Sequence, residues 1–91
     1  MTVAEEVEDL AHRVKTLRQL AMDTEHFAVE FLDCLRACMF YDAAIIAHCE
    51  RLIELEPLND RWRISLKYAE KMALQTEAAM VKEMAEMRED G

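Results

Sequence analysis

The chain has 91 residues, 53% of them hydrophobic, with one Gly, one Pro and a formal net charge of -8 from 19 acidic and 11 basic side chains. That length makes one domain, residues 1–91, with a core small enough to gain from the buried surface of a second chain. So little Gly and Pro excludes hairpins, sandwiches and phosphate-binding loops, and the negative charge disfavours direct contact with nucleic acid or an anionic membrane surface.

Apolar or small residues recur at alternating three- and four-residue spacing, which keeps one helical stripe facing a neighbour. The ladder runs through Val3, Val7, Leu10, Val14, Leu17, Ala21, Thr24, Ala28, Phe31, Leu35, Cys38, Asp42, Ile45, Cys49 and Leu52. An all-α fold follows, a coiled-coil-like helical bundle of three helices. The first helix is expected over about residues 2–22. Glu6, Arg13 and Arg18 flank its stripe, so its buried face is narrow and packs on one side only. Asp23 or Thr24 then offers an N-cap, with Glu25 at the positive end of a new helix. Because the ladder crosses this point in register, one continuous rod from helix 1 into helix 2 is left open.

The second helix is expected over 24–56 and to be central. Its flanks turn apolar at Phe27, Leu32, Cys34, Met39, Tyr41, Ile46, Ile53 and Leu55, and Ala37 to Cys49 is apolar almost all round. Glu56, Pro57, Leu58 and Asn59 end it, because Pro stops a helix and Asn caps the next. The third helix, about 60–88, folds back as an antiparallel hairpin on the stripe Trp62, Leu66, Ala69, Met72, Ala73, Thr76, Met80, Met84 and Met87. Arg63, Lys67 and Lys71 either meet Glu50 and Glu54 across that hairpin or form a solvated basic stripe.

Asp42 stands on the ladder inside the most apolar stretch, where an unpaired carboxylate is costly. It either pairs with Arg36, Arg61 or Arg63, or caps a fourth helix starting near Ala43, or does chemistry. If the break occurs, Tyr41, Ala44, Ile45, Leu52, Leu55, Pro57, Asn59, Trp62 and Leu66 resemble part of a tetratricopeptide repeat. The resemblance covers about 30 residues, needs a one-residue shift and lacks the Gly before the tyrosine; it implies a groove that binds peptides or partner helices.

Cys34, Cys38, Asp42 and Cys49 share a face with His48 adjoining, a donor set that closes around a metal only between two antiparallel copies, since Cys38 and Cys49 lie about 16 Å apart along one helix. Small buried hydrophobes in a tight crossing are the simpler role. An odd cysteine count suggests reduced thiols and no structural disulfide. Asp9 with His12 and Asp23 with His26 have di-iron spacing without the further carboxylates such a site needs. Ser65 is the only serine, and His48 projects away from Cys49, so no nucleophile is activated. No catalytic, metal or cofactor site is assigned.

The expected function is that of a small acidic, non-enzymatic protein-interaction module (adaptor, assembly subunit, small chaperone or inhibitor) acting as a homodimer. Phe31, Leu35, Cys38, Asp42, Ile45, Ile46, Cys49 and Leu52 are its expected interface, with Met80, Met84 and Met87 as a second, adaptable one. Two alternatives stand beside it: an acidic mimic of nucleic acid that inhibits a basic protein, and a Cys/His metal-binding helical switch. The N-terminus lacks the features of a secretory signal and no apolar run suits a bilayer, so a soluble, cytoplasmic protein is expected.

Overall fold

A computed structural model describes the backbone of residues 2–90 and the side chains of residues 2–88. It is all-helical, with α1 over Val3–Asp23, α2 over Ala28–Leu55 and α3 over Asp60–Asp90. None of these helices is long and apolar enough to cross a membrane.

Local chemistry accounts for each boundary. Thr2 is extended and its hydroxyl accepts from the Glu5 N–H, while Glu5 and Glu6 favour the positive end of α1. Thr24 proves to be the stop of α1 and not the start of α2. Its N–H and hydroxyl both donate back to the Leu20 and Ala21 carbonyls, the hydroxyl at 2.9 Å to Leu20, which closes the last turn of α1. A turn closed by the Phe27 N–H on the Thr24 carbonyl follows, and α2 begins four residues later than expected, at Ala28 after an N-cap Phe27 with no side-chain cap. The continuous rod is thereby excluded.

At the second break, the Glu56 N–H bonds Leu52, the Asn59 N–H closes a turn on Glu56, and the Asn59 side chain accepts from the Arg61 N–H at 3.1 Å. Pro57 and Asn59 work as their chemistry requires.

Helix α2 passes Asp42 without interruption, so no fourth helix starts there and the repeat-like helix pair is not formed. Both α1 and α3 pack antiparallel along α2, but the backbones of α1 and α3 do not approach each other. With extents of 51 × 20 × 14 Å, the cross-section is an open V with α2 at its vertex. The main core lies along the vertex: Val7 and Val14 from α1, Cys38, Ile45, Cys49 and Leu52 from α2, Trp62 and Ala69 from α3. A smaller cluster of Ala21, Cys34 and Leu35, joined by Phe31, Ala79 and Met80, closes the far end.

Helix α2 is central, as expected, and contacted by both neighbours, but its back is open. Phe40 is 73% exposed there, and Ala43 and Ala47 are also open. Helix α3 is the longest of the three and reaches the start of α2, so its methionine end does not project free of the bundle.

Candidate functional site

Two arms whose backbones diverge from a shared vertex leave a groove between them, and here it holds about 540 Å³. Val7, Ala11, Val14, Lys15 and Arg18 of α1 form one wall; Ile64, Ser65, Tyr68, Ala69 and Met72 of α3 form the other; Asp42 and Ile45 of α2 make the floor. Residues at i, i+3, i+4 and i+7 share a helical face, so each wall is the flank of a stripe already buried on α2. The lips are apolar and open: Ile64 is 68% and Tyr68 64% exposed. One ion pair, Arg61 with Glu8, bridges α3 to α1 at the end of the groove.

Asp42 is fully buried, and its Oδ2 accepts from the Arg18 guanidinium. Its Oδ1 has no hydrogen-bond partner. Burial raises the Asp42 pKa above the ordinary carboxylate value, with the Arg18 charge and hydrogen bond pulling against it. The arginine expected to neutralise Asp42 therefore exists, but it is Arg18 rather than Arg36, Arg61 or Arg63. Arg36 faces Asp33 at 4.0 Å, Arg63 faces Asp60 at 3.4 Å, and Arg61 pairs with Glu8. The pairing of Arg63, Lys67 and Lys71 with Glu50 and Glu54 is not among the ion pairs of the described residues, and all five side chains are exposed.

The expected interface residues fall mostly inside the chain. Leu35, Cys38, Asp42, Ile45, Cys49 and Leu52 are buried under α1 and α3, while Phe31 and Ile46 are half-buried. Met80 packs in the smaller cluster, and Met84 and Met87 are exposed. The structure does not bring the expected metal donors together. Cys34, Cys38 and Cys49 are buried free thiols, His48 lies 3.5 Å from Glu6, and among the described residues no group of three His, Cys, Asp or Glu side chains converges. The two acid–histidine pairs also separate, with Asp9 bound to Arg13 at 2.9 Å and His26 beside Glu25 at 3.7 Å.

Comparison with protein-family models, with curated proteins and with solved structures finds no match. What the groove can do is therefore read from its chemistry. Its lining is mostly apolar, with Lys15 and Ser65 on the walls and one buried acid held by one arginine on the floor, the make-up of a binding surface. Burial pushes the Cys38 and Cys49 thiols up, which removes thiolate at neutral pH. A maleimide at pH 7 should leave both unlabelled in the folded protein and label both in 6 M guanidinium, as thiol counting by mass spectrometry would show. Prompt labelling without denaturant would place them at an open surface.

Proposed function

We propose that the chain is a small acidic, non-enzymatic protein-interaction module that works as a homodimer, in the manner of an adaptor, assembly subunit, small chaperone or inhibitor. The observation that carries this reading is the amount of surface left uncovered. The chain exposes 6442 Å², whereas a compact monomer of its 10.6 kDa would expose about 5,500 Å². Its radius of gyration is 14.9 Å, against about 12 Å for a compact domain of this length.

The excess is rich in large apolar groups, with Ile64, Tyr68, Phe40, Leu74 and Val81 all exposed. Apolar surface of this extent marks a contact in waiting. In this proposal the buried ladder residues from Leu35 to Leu52 stiffen the scaffold, and exposed side chains of the arms make the contact.

Native mass spectrometry of protein purified under reducing conditions without chelator tests the proposal. A metal-free dimer is the expected species. A metal-free monomer at every concentration would oppose self-association, and stoichiometric zinc would favour the metal-switch alternative instead.

A further inference from the structure

We propose that the groove between α1 and α3 is the seat of a second copy of this chain, each copy laying its α3 arm in the other's groove about a two-fold axis. The proposal rests on the reading of the chain as a self-associating module and names the surface through which it associates.

Three observations choose this surface and this occupant. The first is area. The surface in excess of a compact monomer is roughly 900 Å² per chain, and a stable interface of standard size covers about 800 Å² on each partner. The chain's own three helices are already placed, so none of them is left to fill the groove.

The second is shape. A two-fold contact is isologous, so the lip of one copy must fit the hollow of the same surface on the other. Here the lip and the hollow are neighbours: Ile64 and Tyr68 stand open on α3, beside a floor of Asp42 and Ile45. Interlocking two V-shaped chains brings α3 against α3 at the axis and converts each open V into a closed bundle. It places Ile64 and Tyr68 where the fourth helix of a bundle would put its core residues.

The third is charge. Two copies carrying -8 each repel, so they meet where acids are fewest. Among the groove's lining residues the only acid is Asp42, which Arg18 holds, and Lys15 adds a cation. Two of the other exposed apolar regions lack this advantage, as does the α2–α3 turn, where the exposed Leu55 and Leu58 alternate with Glu54, Glu56 and Asp60. The cleft beside the methionine end is lined by Glu25, Glu83 and Glu86 against a single Lys82. Phe40, on the back of α2, meets Tyr41 edge to face at 5.9 Å and shares its face of the helix with the small, exposed Ala43 and Ala47.

Sedimentation equilibrium with four proteins tests the proposal: wild type, Ile64→Glu, Tyr68→Glu and Phe40→Glu, each checked for helicity by circular dichroism. All three positions are well exposed in the single chain, so the substitutions leave its own core intact. Wild type and Phe40→Glu are expected to be dimers of equal affinity. Ile64→Glu and Tyr68→Glu, each burying two carboxylates in the closed groove, are expected to dissociate about a hundredfold more readily or further. A wild-type dimer that persists unchanged in both groove variants would overturn the groove as the seat while leaving self-association standing. A wild type that stays monomeric to millimolar concentration would overturn both.

Discussion

Arg18→Met is expected to destabilise the protein by about 3 kcal/mol at pH 7, and the loss is expected to shrink as the pH falls toward 4. Asp42 is fully buried, and among the described residues Arg18 is its only hydrogen-bond donor. Removing one partner of a buried pair leaves the other charge without compensation, at a cost of about 3–5 kcal/mol. The carboxyl can escape that cost by holding a proton. From its ordinary value of 3.8, keeping it neutral at pH 7 costs about 4 kcal/mol, which caps the penalty.

The sign of the pH dependence follows from the direction of the shift. Burial already holds the Asp42 pKa above its unfolded value, so the folded chain binds the proton to higher pH than the unfolded chain does. Stability from this group is complete below the unfolded pKa and declines as pH rises through the folded one. In Arg18→Met both opposing contributions vanish, the folded pKa climbs further, and the decline extends over a wider span toward neutrality. Urea melts at pH 4, 5.5 and 7 would show the wild type and variant converging at the acid end. The double variant Arg18→Met with Asp42→Leu is expected to recover to within about 1 kcal/mol of wild type, because well-packed apolar replacements of a buried pair are often neutral or stabilising. A single variant as stable as wild type at pH 7 would mean that Arg18 does not neutralise Asp42.

Trp62→Ala is expected to cost about 3–5 kcal/mol, a large share of the 5–15 kcal/mol that holds an ordinary domain together. Trp62 is 2% exposed and joins the main cluster, to which all three helices contribute buried residues. Its indole N–H donates to Glu56 Oε2 at 2.7 Å, and the Arg61 guanidinium lies 4.6 Å over its ring, so the side chain also ties the start of α3 to the end of α2. Trp62→Phe keeps most of the apolar volume and is expected to lose less than half as much, while Glu56→Ala strands a mostly buried donor and is expected to cost about 1–2 kcal/mol. Thermal melts followed by circular dichroism would rank the three. An alanine variant that melts within a few degrees of wild type would show that the α2–α3 turn does not depend on this side chain.

Much of the fold was legible because helix chemistry is local. The three- and four-residue ladder marked α1 and α2 as helical, the stripe from Trp62 to Met87 marked α3, Pro57 and Asn59 marked the second break, and an arginine partner was one of the three roles open to Asp42. Errors arose where the outcome depends on how one helix sits beside another. Thr24 carries the same hydroxyl whether it closes α1 or opens α2, and only the geometry of the four-residue link decides which carbonyls it reaches. Arg18 was placed on the flank of the stripe of α1, correctly, but a stripe does not say which residue of α2 lies opposite. The 24-residue separation of Arg18 and Asp42 is set by the antiparallel register of the two helices.

The groove was the least legible feature. It exists because α1 and α3 both choose α2 and their backbones stay apart, which no periodicity within a single helix encodes. A signal was nonetheless present in α3. Ile64 and Tyr68 lie off its buried stripe, where a helix packed on one neighbour alone would carry polar residues.

Concentration dependence of unfolding tests most directly the claim that this open fold is completed by a second copy. Association that favours the folded state makes the midpoint rise with protein concentration, whereas a self-sufficient monomer unfolds at a fixed midpoint. Urea unfolding at 1 and 100 micromolar chain is expected to give a higher midpoint at the higher concentration, with the difference abolished in Ile64→Glu. Coincident wild-type curves at the two concentrations would contradict the account.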